Sequence, residues 1–125
     1  MLNARVLSTT LGIIFVAVGL VGFIPNPLVS GDGLFVTNGI HNVVHILTGV
    51  AFFAILWAVG KESRLIVTVG IAYAVVALLG FLTDGDYLLG IVHINQADRW
   101  LHAALAAAII LAGAVASNPT TSADS

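Results

Sequence analysis

The sequence predicts an all-α integral membrane protein that folds as an antiparallel four-helix bundle. Its composition indicates the class, because 59% of the 125 residues are hydrophobic and only 8% are charged, whereas soluble domains carry about a quarter charged residues. Four apolar stretches, separated by short polar segments, supply the four helices. Each stretch approaches the roughly 20 residues that cross a bilayer as a helix. We therefore expect a single four-span membrane domain over residues 1–116.

The first predicted span covers about residues 7–24 and ends at Pro25 and Pro27, because proline cannot continue a helix. A signal peptide is the alternative, since a basic start precedes the apolar core. The sequence Phe-Ile-Pro-Asn-Pro has no small-x-small cleavage site, which favours a retained span. The second span covers about residues 39–59, and Trp57 near its far end is typical of an interface anchor.

The third predicted span covers about residues 65–82 and follows a short charged connector. The fourth covers about residues 97–116. The last nine residues, 117–125, are polar and small, so we expect them to form a disordered cytoplasmic tail.

The charges of the loops predict the orientation of the chain. Three of the four basic residues, Arg5, Lys61 and Arg64, lie at the start of the chain and between spans two and three. Acidic side chains lie in the other two loops, at Asp32, Asp84 and Asp86. The positive-inside rule therefore predicts a multi-pass protein of the inner (plasma) membrane with both termini in the cytoplasm.

Polar side chains recur at helical spacing near the starts of spans two and four. His41 and His45 are one turn apart. In the predicted orientation both spans begin on the outer side, so their first turns lie at similar depth. We therefore expect one outward-facing polar cluster, made of His41, Asn42, His45, Asn95, Asp98 and His102.

Several uses of this cluster remain open. The first is a hydrogen-bonded clamp between spans two and four, in which His45, Asp98 and His102 satisfy one another and the two asparagines add amide hydrogen bonds. The second is a divalent transition metal ion such as zinc, copper or iron, with ligands from His41, His45, Asp98 and His102. The third is a proton-responsive relay or a small-ligand pocket. Haem ranks below a single metal ion, because the cytoplasmic half offers no second pair of histidines.

Other classes of function lack the residues they need. The chain has no cysteine, which excludes disulfides, thiolate metal sites and cysteine nucleophiles. It has no basic run, so we expect no nucleic-acid partner. The hydroxyl side chains of Ser8, Thr9 and Thr10 lie across the predicted bilayer from the histidines, so we expect no enzyme and assign no catalytic residue. The lipid bilayer is the expected partner, and a homo-oligomer or a larger membrane complex remains an alternative.

Small residues predict where the helices approach one another. In lipid, glycine and alanine permit close contact between helix backbones. The candidates are Gly49 in span two and a stripe in span four formed by Ala104, Ala108 and Ala112.

Four segments carry a resemblance to a known family, and they are residues 22–25, 41–50, 70–73 and 95–102. They resemble a family of small four-span membrane proteins, bacterial and often actinobacterial, that is described only as a domain of unknown function. The family pattern is similar to H-N-x-x-H-x-x-x-G in span two and N-x-A-D-x-x-L-H in span four. The resemblance implies the fold and the membrane location but no activity. It extends to His41, Asn42, His45, Gly49, Asn95, Asp98, Leu101 and His102, whereas Arg99 stands where a neutral residue, often asparagine, is expected.

Overall fold

The computed structural model describes residues 1–120, and this part of the chain is mostly helical. It contains four helices, which are α1 (Ala4–Val21), α2 (Gly39–Ile55), α3 (Glu62–Leu82) and α4 (Gln96–Val115). A parallel pair of two-residue strands, β1 (Val29–Ser30) and β2 (Phe35–Val36), lies between α1 and α2. An antiparallel pair, β3 (Tyr87–Leu88) and β4 (Val92–His93), lies between α3 and α4. The order helix, strand pair, helix therefore occurs twice.

Asparagine side chains fix the starts of three helices. The Asn3 side chain accepts hydrogen bonds from the backbone N–H groups of the first turn of α1. Asn38 accepts one from the N–H of His41 at 3.0 Å, and Asn95 accepts one from the N–H of Asp98 at 3.0 Å. Each bond satisfies a donor that the helix itself leaves unpaired. The same kind of cap therefore fixes the backbone at His41 in α2 and at Asp98 in α4.

Glycines bring the helices together in two pairs, α1 with α2 and α3 with α4. A Cβ atom on Gly49 of α2 would lie 2.8 Å from the carbonyl oxygen of Gly12 in α1. A Cβ on Gly70 of α3 would lie 3.0 Å from the backbone nitrogen of Ile110 in α4. Real Cβ atoms essentially never lie closer than 3.0 Å to a neighbouring heavy atom and rarely lie at 3.0 Å, so a glycine at the contact point allows each pair its close approach.

The two halves of the chain are similar in sequence as well as in element order. Residues 12–23 read GIIFVAVGLVGF and residues 70–81 read GIAYAVVALLGF, so six of twelve positions are identical. The cap residues Asn38 and Asn95 are 57 positions apart, and so are His45 and His102. The chain therefore contains an internal repeat of one helix, one strand pair and a second helix.

Reciprocal hydrogen bonds join the two repeats. The Asn38 side chain donates to the carbonyl oxygen of Ile91 at 2.9 Å, and the Asn95 side chain donates to that of Leu34 at 2.8 Å. Leu34 and Ile91 are also 57 positions apart, so each repeat gives the same bond to the other. Such exchange is the mark of an isologous contact, in which two equivalent surfaces meet about a two-fold axis. The repeats are therefore related by an approximate two-fold axis.

The start and the end of the described chain meet beside the α2–α3 connector. The N–H of Ser117 donates to the carbonyl oxygen of Leu2 at 2.8 Å, and the Asn118 side chain donates to that of Gly60 at 2.9 Å. The predicted disordered tail is therefore corrected at its start, because polar groups just after α4 bind backbone groups at the end of the fold. Tail residues 121–125 lie outside the described residues.

A buried ion pair lies at the same end of the molecule. The Arg5 guanidinium donates to the Glu62 carboxylate at 2.9 Å and to the carbonyl oxygen of Leu56 at 2.8 Å. The Glu62 side chain is fully buried, whereas that of Arg5 is partly exposed. The pair joins the first turn of α1 to the first turn of α3, and therefore one repeat to the other.

The helix bounds differ from the predicted spans in a consistent way. Helix α1 begins and ends three residues before the predicted 7–24, and α3 begins at Glu62 rather than at 65. These two helices begin earlier because hydropathy marks the most apolar stretch, whereas the helix also includes a first turn that contains charged residues such as Arg5 and Glu62. Three helices, α1, α3 and α4, are long and apolar enough to cross a membrane, whereas α2 has 17 residues and ends at Ile55.

The predicted alanine stripe of α4 is also corrected. Those residues lie mostly on the exposed face, where Ala104 and Ala108 are exposed and Ala112 is half-buried. The buried face is formed by other residues, which are Asp98, His102, Ala106, Ile109 and Gly113. The buried residues continue the helix face on which Asp98 and His102 lie. The alanine stripe is displaced from that face by two positions in the sequence, so it points in a different direction. Gly49, in contrast, lies against α1 as a helix contact.

Candidate functional site

Four polar side chains meet near the starts of α2 and α4. They are His41, His45, Asp98 and His102, and each is between 1% and 7% exposed. His41 and His45 share one face of α2, and Asp98 and His102 share one face of α4, because residues four apart stand one above the other on a helix. The two faces point at each other, so the first turns of both helices supply one buried cluster.

The distances within the cluster are short. Asp98 Oδ2 lies 3.3 Å from His102 Nδ1 and 3.8 Å from His41 Nε2. The three imidazoles each offer a nitrogen, and these nitrogens all lie within 4.8 Å of one another. The ring centroids of His41 and His45 are 4.6 Å apart, and those of His45 and His102 are 6.0 Å apart. The three imidazoles are therefore close enough to hold one ion after modest side-chain rotation, and the Asp98 carboxylate lies beside two of them.

Backbone carbonyl groups fix two of the imidazoles. His41 Nδ1 lies 2.7 Å from the carbonyl oxygen of His93, and His102 Nδ1 lies 2.8 Å from that of Asp98. A carbonyl oxygen only accepts hydrogen bonds, so each Nδ1 carries the proton and donates it. In the neutral ring Nε2 then has a free lone pair, and the hydrogen-bond network assigns this tautomer.

The cluster has more acceptors than donors. Asp98 Oδ2 and His45 Nδ1 are buried and have no hydrogen-bond partner within residues 1–120. The free lone pair of His41 Nε2 lies 3.8 Å from this carboxylate, whereas the N–H at His102 Nδ1, 3.3 Å away, is directed to the backbone carbonyl oxygen of Asp98. Unpaired acceptors buried away from water are unfavourable. A cation placed among them would satisfy all of them together.

This geometry corrects part of the predicted clamp. The predicted clamp has His45, Asp98 and His102 hydrogen-bonded to one another through their side chains. In the described part of the chain the side chains of Asp98 and His102 are in contact at 3.3 Å, but His102 Nδ1 donates to the Asp98 backbone and His45 Nδ1 has no partner. The asparagines also have other roles. Asn95 caps α4 and bonds to the other repeat, and the Asn42 side chain packs against Gly22 in α1. The structure therefore brings together four of the six predicted residues.

A cavity of about 200 Å³ adjoins the cluster. The four cluster residues line one part of it, and the ring of Tyr73 lies parallel to that of His102 with centroids 5.7 Å apart. The Tyr73 hydroxyl is turned away and donates to Thr48 at 3.2 Å. The rest of the wall is apolar and includes Val44, Val76, Ala77, Leu88, Val92 and Ile94. The cluster therefore has an apolar space in front of it.

Two features of the site are absent from the predicted residues. The carbonyl group that orients His41 belongs to His93, and a backbone group leaves no mark in a sequence. Tyr73 forms a wall of the cavity, and its equivalent in the first repeat is Phe15, whose ring lies 6.1 Å from that of His45. An alignment of the two repeats would have singled out both aromatic residues, because each lies beside the histidine of its own repeat.

As a donor set, the cluster fits a metal ion. Neutral imidazole nitrogens together with a carboxylate are ligands that zinc, copper(II) and iron(II) accept. Two of the histidines already donate their other ring N–H to carbonyl groups, which is how metal-binding histidines are commonly oriented. Burial of all four residues excludes water from most of the site.

The fold and the site define a helical protein with a buried histidine cluster. Three of its helices are long and apolar enough to cross a membrane, which suggests a membrane protein. The sequence model of one family, Domain of unknown function (DUF4383), matches residues 5–115. The chain belongs to this family, and the match covers all four helices except the first residue of α1. Comparisons with curated proteins and with solved structures give no significant match.

Proposed function

We propose that the chain is an antiparallel four-span protein of the bacterial inner membrane, and that its cluster binds one divalent transition metal ion. The ligands would be His41, His45, Asp98 and His102. The observation that carries the proposal is a buried group of lone pairs with no donor among the described residues to satisfy them.

The exposed surface supports embedding in a bilayer. Large apolar side chains are more than half exposed on every helix, such as Ile13, Leu47, Leu78 and Leu111. In water such a surface would be unfavourable, whereas lipid tails are as apolar as these side chains. The packing of the helices is therefore consistent with lipid on all sides.

Helix α2 is long enough to serve as the fourth span if the turn after it is included. Its 17 residues extend about 26 Å at 1.5 Å per residue. The N–H groups of Leu56, Trp57 and Ala58 then bond three residues back, which continues the rod by a tighter turn of about 6 Å. The sum is close to the roughly 30 Å of the hydrocarbon core.

The charges at the two ends support one orientation. Arg5, Lys61 and Arg64 lie at the end where the chain termini meet the connector. The opposite end, which carries the strand pairs, has Asp32, Asp84 and Asp86 and only one basic residue, Arg99. By the positive-inside rule both termini belong in the cytoplasm, and the histidine cluster lies towards the outer face.

A metal ion accounts for the cluster better than a clamp does. A clamp requires a hydrogen bond to each buried acceptor, and Asp98 Oδ2 receives none within residues 1–120, because the N–H at His102 Nδ1, 3.3 Å away, is directed to a backbone carbonyl oxygen. In a tetrahedral site with bonds of about 2.0–2.1 Å the ligand nitrogens lie roughly 3.4 Å apart. The present limit of 4.8 Å is only about 1.4 Å larger, so small rotations of the imidazoles would close it.

The charge of the cluster favours a divalent ion. Three neutral imidazoles and one carboxylate carry a single negative charge, which compensates half of the charge of the ion in a buried site. The negative charge comes from the second repeat, where Asp98 occupies the position that His41 occupies in the first repeat. Each repeat would then contribute two ligands, and the ion would lie near the approximate two-fold axis.

The proposal is tested by the metal content of the purified protein. Wild type is equilibrated with Zn²⁺ in detergent, freed of unbound metal and analysed for elements, and Cu²⁺ and Fe²⁺ are compared in the same way. We expect one ion per chain for wild type and none for His45→Ala with His102→Ala. His93→Ala is the matched control, because only the backbone of His93 touches the cluster, and it should keep the wild-type content. Equal metal in wild type and in the double variant would overturn the proposal.

A second readout comes from Co²⁺. Cobalt in a tetrahedral site of nitrogen and oxygen ligands has visible absorption that the hydrated ion lacks. The bands should appear for wild type and for His93→Ala, and should be absent for the double variant. Circular dichroism of each sample shows whether the helices are retained, so a loss of metal is separated from a loss of fold.

A further inference from the structure

The cavity beside the cluster has a defined shape and position. Its volume is about 200 Å³, somewhat larger than the apolar cavities of about 150 Å³ that hold benzene. Three elements line the cavity besides α4. Helix α2 contributes Val44, α3 contributes Val76, and β4 contributes Val92. The cluster residues of α4 form the far end. One six-membered ring with a small substituent fills a space of this size.

The cavity reaches the surface between α2 and α3. Val44 and Val76 both line it, yet they are 44% and 37% exposed. Contacts between these two helices are sparse, in contrast to the close pairs α1–α2 and α3–α4. In the proposed membrane position this opening faces lipid tails. A ligand would therefore enter from the bilayer, which selects molecules that dissolve in lipid.

The polar end of the cavity selects the head group. It offers imidazole lone pairs and the Asp98 carboxylate, so it requires a ligand that donates a hydrogen bond or binds the metal ion. A carboxylate ligand would be repelled by Asp98. An ammonium group would lose its hydration in an apolar space. A neutral hydroxyl group has neither disadvantage, because it can donate to an imidazole.

The walls favour an aromatic body. The faces of Tyr73 and His102 are parallel at 5.7 Å, and the rings of His41 and His45 stand edge to face. Aromatic rings gain from stacked and edge-on contacts beyond the area they bury. The remaining wall is formed by aliphatic side chains.

We propose that the cavity binds a small neutral phenol that is dissolved in the bilayer, with its hydroxyl group at the cluster and its ring among the apolar side chains. The inference deepens the proposed function and rests on it for the membrane route. In the metal-loaded protein the four side chains would already complete a tetrahedral shell, so the hydroxyl oxygen would be a fifth ligand. In the metal-free protein the hydroxyl group donates to an imidazole nitrogen, so the site does not require metal.

The test uses 4-fluorophenol and fluorine NMR on the full chain in lipid nanodiscs, with empty nanodiscs as the reference. We expect saturable line broadening that empty nanodiscs do not give. The matched probe is 4-fluoroanisole, in which a methyl group replaces the hydroxyl hydrogen. Loss of that hydrogen bond should weaken binding about tenfold. Equal binding of the two probes, or no saturable binding, would overturn the inference.

Two matched pairs of variants locate the site. Val76→Phe fills the cavity, whereas Val75→Phe places the same side chain on the exposed face just beside it. Val44→Phe and Val43→Phe form an equivalent pair on α2. Binding of 4-fluorophenol should fall in the first member of each pair and stay at the wild-type level in the second. Equal effects within both pairs would contradict the assignment, and the second pair serves if one variant does not fold.

Metal analysis of the same samples separates this inference from the proposed function. Saturable 4-fluorophenol binding to a protein that holds no metal would leave the cavity assignment standing and remove the metal site. A metal-loaded protein that binds neither probe would do the reverse. Since Val76→Phe leaves all four ligands in place, it should keep its metal while it loses the phenol.

Discussion

The substitution Gly49→Ala should loosen the contact between α1 and α2. The new Cβ would lie 2.8 Å from the carbonyl oxygen of Gly12 and 2.8 Å from the backbone nitrogen of Val16. Ordinary contacts of a Cβ begin at 3.4 Å, so the two backbones must separate by about 0.6 Å. Overpacking of this kind costs about 1–3 kcal/mol. Alanine has a higher helix propensity than glycine by about 1 kcal/mol, which offsets part of this cost. The net loss in free energy of unfolding is therefore roughly 0–2 kcal/mol.

Gly39→Ala is the matched control on the same helix. Its Cβ would have only one neighbour, an edge atom of the Phe23 ring at 3.9 Å, which is ordinary contact. The control gains helix propensity without a clash, so the two variants should differ in free energy of unfolding by about 1–3 kcal/mol. The measurement is reversible unfolding in mixed micelles, followed by circular dichroism. A Gly49→Ala protein as stable as Gly39→Ala would refute the close contact of α1 and α2.

The same displacement should reach the cluster. Gly49 lies one turn after His45 on the buried face of α2. A shift of α2 away from α1 changes the position of His45 relative to His102, whose ring centroid is now 6.0 Å away. Metal affinity should therefore fall in Gly49→Ala and stay unchanged in Gly39→Ala. Equal affinities would show that packing at this contact does not set the geometry of the site.

Two further predictions concern the contacts between the repeats. Asn38→Ala and Asn95→Ala each remove a helix cap and a bond to the other repeat, so each should destabilise the protein by about 1–2 kcal/mol in the same unfolding assay. The two losses should agree within about 0.5 kcal/mol, and strongly unequal losses would contradict the two-fold relation. Arg5→Ala leaves the buried Glu62 carboxylate without its cation and should cost about 1–3 kcal/mol, less than a fully buried pair because Arg5 is partly exposed. The exposed Arg64→Ala is its control and should stay within about 0.5 kcal/mol of wild type, and an equal loss in both would remove the ion pair as a source of stability.

Much of the secondary structure can be read from the sequence, because apolar stretches bounded by Pro25 or by Gly85 leave few alternatives to helices. The class of fold and the number of helices follow from that pattern. The exact ends do not. They depend on hydrogen bonds such as those from Asn118 to Gly60, which join positions far apart in the chain. The two strand pairs are also hard to foresee, since two residues carry no periodicity.

The sequence predicted which four charged or titratable residues form the cluster, but not which hydrogen bonds they make. The spacing of His41 and His45, and of Asp98 and His102, places each pair on one helix face, and the structure brings the two faces together. Which group donates to which depends on distances of a few tenths of an ångström. The carbonyl of His93 reaches an imidazole, whereas the Asn42 side chain, next to His41 in sequence, lies against α1. Adjacent residues on a helix point about 100° apart, so neighbours in sequence need not share a site.

The alanine stripe shows how composition alone misleads. Small residues are frequent throughout α4, and they lie both on the stripe of Ala104, Ala108 and Ala112 and on the stripe that continues from Asp98 and His102. The polar pair Asp98 and His102 decides between the stripes, because a face that carries buried polar groups must turn inward. Extending that face by further turns gives Ala106 and Gly113, both of which are buried. Polar residues were the better guide to the interior of this apolar protein.

The two-fold relation between the repeats also limits how this cluster could have come about. A half-length ancestor that paired with a copy of itself would place the same residue at both positions now held by His41 and Asp98, because one codon would specify both. Such a pair could present two imidazoles or two carboxylates there, but never one of each. The mixed arrangement requires two separately encoded copies, as in this fused chain, in which the two positions mutate independently.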